Sequence, residues 1–259
     1  MQVYVLKGLK LPRTTILKGY TLNVKGFVDL SFVDWDGKVS SVLFLSNCNF
    51  RCPFCHNVNL VLKPETIETI PFEYITEQLK NQKGWIDGVC ITGGEPTLHD
   101  SLPDLCSKIK EMGFLVKLDT NGTNPTMLKD LIDNKLVDYV AMDVKAPLSV
   151  EKYNRATGVN TETLLENVKR SINLLMNNEI DYEFRTTVVP TLHDLDDIKQ
   201  ICNSLKGCKK YVLQKFDVNI GQTVLDPTFT TKTISNEDVQ DFLDASKKII
   251  PNTKARGLV

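Results

Sequence analysis

Long apolar runs are absent from this chain. None approaches the roughly 20 residues that a membrane-crossing helix needs, so no such span is expected. Charge of one sign is not in excess either, since 31 Lys and Arg face 32 Asp and Glu, a net charge of −1. That near-balance supplies no general pull toward nucleic acid or an acidic membrane. An export leader is not expected, because the opening MQVYVLKGLKLPRTTILKGY is broken by Lys7, Lys10, Pro12 and Arg13. Repeats, low-complexity tracts and convincing domain linkers are also missing. Acidic residues are absent from positions 1–28, which carry Lys7, Lys10, Arg13, Lys18 and Lys25. Residues 1–23 read as a solvated extension or an extra strand, with a partner-docking segment the weaker alternative. The rest of the composition, 42% apolar and 24% charged over 259 residues, suits an ordinary globular protein with one sizeable core, expected over 24–259.

Against these absences stand seven cysteines, three of them in the stretch SNCNFRCPFCHN as Cys48, Cys52 and Cys55. Cubane iron–sulfur clusters are ordinarily held by four thiolates, and no fourth cysteine lies nearby. Three thiolates alone suggest a cluster with one iron left open for a small molecule. Zinc is the alternative, with Cys48, Cys52, Cys55 and His56 as a nominal Cys3His set. Structural zinc sites usually draw a second ligand pair from a distant segment, however, and His56 directly follows Cys55. Cys90, Cys106, Cys202 and Cys208 are scattered and read as small core residues, with no second cluster. Clustered thiols without a leader favour a reducing cytoplasm.

Apolar, β-branched stretches alternate with amphipathic ones. Strands are expected at 40–46, 88–94, 114–122, 137–145, 181–189 and 211–216. Helices are expected near 101–112, 124–135, 161–177 and 194–206, with a last one opened by Ser235. In the helix at 161–177, Leu164, Val168, Ile172 and Leu175 share a face, and Thr163 with Glu166 offers a capping box. Six strand–helix alternations with short connections mean an α/β fold with a parallel sheet. The chain is short for eight full repeats, so a partial (β/α)6 TIM-like barrel is preferred.

Parallel α/β folds gather function at the carboxyl ends of their strands. The cysteine loop follows the first expected strand, Gly93-Gly94-Glu95-Pro96 the second, Asp119-Thr120-Asn121-Gly122 the third and Asp143-Val144-Lys145 the fourth. Arg185 falls within the fifth strand and Gln214 near the end of the sixth. Singly, each has a plain explanation as a turn, a helix entry or a local cap. Together with three thiolates they mark one reactive rim.

These motifs resemble the radical S-adenosylmethionine (radical SAM) superfamily, and within it the glycyl-radical-enzyme activases. The lead-in GFVDLSFVDWDGKVSSVLFLSNCNFRCPFCHN is most similar to the group that activates anaerobic ribonucleoside-triphosphate reductase. The resemblance covers about residues 24–257. It implies a radical SAM core in which Cys48, Cys52 and Cys55 hold a [4Fe-4S] cluster whose open iron chelates SAM. Phe54 would face adenine, or simply pack the loop. Gly93 and Gly94 would let backbone approach the methionine moiety, and Glu95 would either bond its amino group or brace the loop. In related formate-lyase activases, counterparts of Asp119, Thr120, Ala141 and Asp143 surround a monovalent cation beside SAM. Hard oxygen ligands suit such an ion. Asn121 and Gln214 complete the expected cofactor site. Lys145 and Arg185 are expected partners of SAM or of the incoming peptide, a structural salt bridge being the alternative.

The implied partner is a glycyl radical enzyme, with flavodoxin or ferredoxin as external one-electron donor and neither nucleic acid nor membrane involved. Formate-lyase-type activation or small-molecule radical chemistry stands second, and a zinc-stabilised or redox-sensing module is a distant third. No ferredoxin-like cysteine insert lies between Cys55 and Gly93, which argues against the activases that carry one.

Overall fold

Apolar, β-branched segments form six of the strands, unbroken in SSVLFL after its two serines and interrupted by charge in LVKLDT and DYEFRTTV. A computed structural model describes residues 23–216, 223–229 and 234–257. Residues 1–22 of the basic arm lie outside the described residues. The described residues divide into two compact units, the first from 23–49, 59–119 and 130–139, the second from 50–58, 120–129 and those described from 140 onward. No linker separates them in sequence, and each unit takes pieces from several parts of the chain.

The first unit is built on β1 (Val24–Ser31), β2 (Ser40–Leu45), β3 (Gly88–Gly93) and β4 (Leu115–Thr120). β1 pairs antiparallel with β2, whereas β2, β3 and β4 run parallel. All six β2 side chains are buried, but β1 exposes part of one face, as a strand packed on one side does. The turn between them contains Asp36-Gly37, with Gly37 at φ 75° and Lys38 N–H donating to Trp35 O at 3.1 Å. Asp-Gly between apolar runs is a hairpin signal. The expected strand list passed over it. Helices α1 (Val58–Leu62) and α2 (Phe72–Asn81) fill the connection from β2 to β3. They also went unforeseen, because α1 is a bare turn and a half and α2 begins at Pro71 without a side-chain cap. Leu102, Leu105, Cys106 and Ile109 of α3 (Leu102–Glu111) are buried at the anticipated helical spacing.

The second unit carries β5 (Tyr139–Asp143), β6 (Asp181–Val188), β7 (Tyr211–Lys215) and β8 (Thr253–Arg256), with β6, β7 and β8 parallel. Helices α4 (Pro125–Asp133), α5 (Val150–Thr157), α6 (Glu162–Met176), α7 (Leu195–Ser204) and α8 (Asn236–Lys247) complete the order. The six anticipated strands are β2 to β7; β1 and β8 are additions. Two local expectations need correction. The N-cap of α6 is Thr161, with no side-chain cap, so Thr163 lies inside the helix and the Thr163–Glu166 capping box does not form. Leu165, not Leu164, is the buried residue of its first turn. The capping box belongs to α7 instead, where Asp194 and Asp197 bond each other's backbone. Ser235 does open α8, accepting from Asp238 N–H.

Glu183 ties the far strands together. It is 1% exposed, and Arg256 of β8 grips it with two bonds of 2.9 and 3.0 Å. Lys210, just before β7, approaches the same carboxylate at 2.7 Å. Burial alone would raise this carboxyl's pKa, but Arg256 and Lys210 outweigh it and the pKa is lowered. Cys90, Cys106, Cys202 and Cys208 are buried free thiols, as expected of packing residues.

Candidate functional site

In the first unit, the Gly93-Gly94-Glu95 segment clasps the residues that lead into the cysteine loop. Gly94 N–H donates to Leu45 O at 2.9 Å and Glu95 N–H to Asn47 O at 2.7 Å. His99 Nε2 bonds Ser46 O at 2.7 Å. The approach demands glycine. Gly93 has φ 120°, and a β-carbon on Gly94 would lie 1.8 Å from Asn47 O. Glu95 is fully buried, and its Oε1 accepts from Thr97 N–H at 3.1 Å and Thr97 Oγ1 at 2.5 Å. Of the two roles left open for Glu95, bracing the loop is therefore present in the geometry.

Asp119 closes β4 beside a residue that the sequence reading missed. Lys117 is two positions earlier on the same face of the strand. Its side chain is 1% exposed and its ammonium lies 2.5 Å from Asp119 Oδ1 and 3.7 Å from Cys90 Sγ. A buried lysine inside an apolar strand, with a carboxylate at i+2, was the available signal.

In the second unit, the stretch Phe50–Val58 bearing Cys52 and Cys55 is held on several sides. Cys55 N–H donates to Cys52 O at 3.0 Å, and Arg51 N–H to Thr157 O at 2.7 Å at the end of α5. Leu225 N–H donates to Cys55 O at 2.9 Å and Asp226 N–H to Pro53 O at 3.1 Å. Phe50 sets its ring edge-on to Tyr153 at 6.2 Å. Phe54 does the same to Phe216 at 6.0 Å, and His56 stacks on the same Phe216 at 5.3 Å. Phe216 and Tyr153 are thus further supports that no local motif announced. Burial pushes the Cys55 thiol up, while the Asn57 N–H and the charges of Lys145 and Arg51 pull it back.

Asp143, Lys145 and Arg185 meet in this unit. Asp143 Oδ2 accepts from Lys145 Nζ and Oδ1 from Arg185 Nε, both at 2.9 Å. Burial opposes the Asp143 charge, but Arg185 and then Lys145 overcome it and hold the carboxyl at about 2. Lys145 loses by burial and gains more from Asp143, so its pKa rises. Tyr153 Oη accepts from Lys145 N–H at 3.3 Å. His193 is buried, with Nδ1 accepting from Val189 N–H at 3.0 Å and Nε2 beside Lys145 O at 2.8 Å. That pattern assigns the neutral tautomer with its proton on Nε2. Burial lowers the His193 pKa in the same sense. Gln214 is half-buried on β7, two positions after Val212, the register partner of Arg185, and shares its face of the sheet. Thr120 Oγ1 accepts from Gly122 N–H at 3.1 Å, and Asn121 Oδ1 accepts from Thr123 N–H at 3.0 Å and Thr123 Oγ1 at 2.7 Å, so both side chains shape their own turn.

A folded carboxyl held near 2 stabilises the protein above its unfolded value and loses that contribution as pH falls. The window is about pH 4 down to 2, with an upper bound of about 2 kcal/mol for this shift. The side chain of Asp143 is 24% exposed, so solvent screening reduces that figure. Urea midpoints of cluster-free protein between pH 6 and 2.5 should therefore fall less steeply in Asp143→Asn than in wild type. Parallel curves would remove Asp143 from the acid response.

The residues fit a cluster better than a single ion. Among the described residues, no three His, Cys, Asp or Glu side chains converge where one metal ion could sit. A cubane does not need such convergence, because each iron takes its own thiolate. The glycine pair packs flush against the backbone of Leu45 and Asn47, which fixes the end of β3 beside the segment leading to Cys48. For a monovalent cation, the expected acidic ligands already carry internal cations. Asp119 is already paired with Lys117, and Asp143 with Lys145 and Arg185.

Comparison with known proteins agrees with the loop and the sheet. The profile of the Radical SAM superfamily matches residues 42–205. A protein of Methanocaldococcus jannaschii, provisionally named a glycyl-radical enzyme activating enzyme, is 35% identical over 237 residues, 90% of this chain and 95% of that one. The pyruvate formate-lyase-activating enzyme of Clostridium pasteurianum is 26% identical over 191 residues, 70% of this chain and 74% of the other. Among solved structures, a radical SAM methyltransferase from Sphaerobacter thermophilus has a TM-score of 0.65 at 13% identity, covering 88% of this chain and 68% of that one. Streptococcus suis SuiB bound to its precursor peptide SuiA has a TM-score of 0.65 at 15% identity, covering 83% of this chain and 48% of SuiB. At such identities the structural likeness establishes the fold alone, the α/β partial barrel expected of the sequence.

Proposed function

Because this chain belongs to the radical SAM superfamily, among its glycyl-radical-enzyme activating enzymes, we propose that its partner is an anaerobic ribonucleoside-triphosphate reductase. The reading takes residues 24–259 as the radical SAM domain and 1–23 as an extension. It places the enzyme in the cytoplasm with a flavodoxin or ferredoxin as electron donor. Among the described residues no helix is long and apolar enough to cross a membrane. The choice of partner rests on the likeness of the lead-in GFVDLSFVDWDGKVSSVLFLSNCNFRCPFCHN to the reductase-activating group, and the connection between Cys55 and Gly93 argues only against activases that carry a ferredoxin-like insert. That connection holds α1 and α2 and one buried structural thiol, Cys90, with no second cysteine-rich motif.

Family cofactors are a [4Fe-4S] cluster and SAM. When bound, they supply one-electron cleavage of SAM and a 5′-deoxyadenosyl radical able to take hydrogen from glycine. Cys48, Cys52 and Cys55 would hold the cluster. The backbone of Gly93 and Gly94 would receive the methionine end of SAM, and the buried Glu95 keeps that backbone in place. Phe54, braced by Phe216, offers an aromatic wall that excludes water. Arg185 and Lys145 outnumber Asp143 and leave net positive charge for a carboxylate of SAM or of the incoming peptide. Gln214 on the same face extends that polar strip. No protein acid or base is needed.

The test is anaerobic. Reconstituted protein with SAM and reduced flavodoxin should produce a glycyl doublet by electron paramagnetic resonance on the reductase and none on a formate lyase. A doublet on the lyase alone overturns the partner assignment. SAM cleavage without a doublet on either points to the small-molecule alternative.

A further inference from the structure

Asp119 stands at the carboxyl end of β4 with an ammonium already beside it. Lys117 reaches it at 2.5 Å and is 1% exposed, so this charge is built into the fold and not borrowed from solvent. β4 and β3 place Lys117 opposite Cys90 in register, deep in apolar surroundings where an unpaired charge of either sign is costly. The other expected cation ligands are similarly committed. Both oxygens of Asp143 are taken within its own unit by Lys145 and Arg185, and Thr120 Oγ1 accepts from Gly122 N–H. We propose that Lys117 supplies internally the positive charge that an alkali cation would bring to Asp119, making SAM binding in this chain independent of potassium and sodium.

The inference rests on the radical SAM reading for its SAM component, but its charge component does not need SAM. An ammonium is a compact point charge of the kind that hard oxygen ligands otherwise take from a monovalent ion. Tethered through a strand residue, it stays at full occupancy whatever the salt. Lys117 is a positioning residue in this scheme. It holds the Asp119 carboxylate and the strand end that leads into Thr120-Asn121-Gly122.

The experiment compares potassium, sodium and choline chloride at one ionic strength. Two readouts are taken, the melting temperature of cluster-free protein and the SAM affinity of cluster-loaded protein. Coupling between linked sites is typically 5- to 150-fold, so wild type should show less than about twofold variation in SAM affinity and no salt-specific melting shift. Lys117→Met should acquire a need, binding SAM at least about fivefold more tightly in potassium or sodium than in choline and melting higher there. Lys117→Arg, which keeps the charge, should stay close to wild type in its indifference to salt.

A wild type that melts higher or binds SAM more tightly in potassium or sodium than in choline overturns the proposal. So does a folded Lys117→Met that is indifferent to all three salts. Should Lys117→Met fail to fold, the wild-type comparison alone decides. Should wild type bind no SAM at all, the cofactor reading fails separately, and the melting comparison still decides the role of Lys117.

Discussion

Gly94→Ala is expected to lower SAM cleavage by about 100-fold or more while leaving a folded protein, since misplacement of a reacting group by an ångström costs that much. The added β-carbon would sit 1.8 Å from Asn47 O and 2.5 Å from Asn47 C, both backbone atoms that no rotamer change can move aside. Strain of this kind costs about 1–3 kcal/mol when a packed region must shift. Relief comes only by pushing β3's end away from Ser46–Asn47, stretching the Gly94–Leu45 and Glu95–Asn47 bonds. Because Cys48 follows Asn47 directly, the displacement reaches the first cluster cysteine through the chain itself. Iron and sulfide content, SAM affinity and 5′-deoxyadenosine yield should be measured together. A variant with wild-type yield would show that the glycine pair serves only the turn.

The second large effect concerns stability. Glu183→Ala should cost about 3–5 kcal/mol, the typical loss when one member of a buried ion group is removed. Two cations, Arg256 and Lys210, would then be left in a region where the missing carboxylate was 1% exposed. For a chain of this size the melting temperature should fall by on the order of 10 °C. Glu183→Gln keeps the shape and some of the hydrogen bonding, and should fall between the two. Thermal unfolding followed by circular dichroism gives both numbers. A loss below about 1 kcal/mol for the alanine variant would place Glu183 with ordinary surface pairs instead.

How legible these features were depends on how local their signals are. β2 to β7 were readable because apolar and β-branched residues dominate most of them, and α3 because Leu102, Leu105 and Ile109 repeat at helical spacing. α6 was found but wrongly capped, since Thr163 and Glu166 have the right spacing two residues too late. α5 and β8 carry weak patterns: VEKYNRAT is mostly polar, and TKAR is four residues long. The cysteine loop and Gly93-Gly94 announced themselves by spacing. Residues that support the loop did not. Tyr153 and Phe216 lie far along the chain from Cys52, and their value comes from packing that no short motif encodes. Lys117 was visible but read past, because the motif beside it begins two residues later, at Asp119.

The turn at Leu225–Asp226, whose amides bond Cys55 O and Pro53 O, imposes an order on biogenesis. A ribosome releases the cysteine loop long before it makes those two amides. Until they emerge, the loop lacks the bonds that seal its carbonyls, and its thiols are displayed on a nascent chain that can still be oxidised or mismetallated. A chain cut short before residue 225 would carry all three cysteines without these two bonds to the loop.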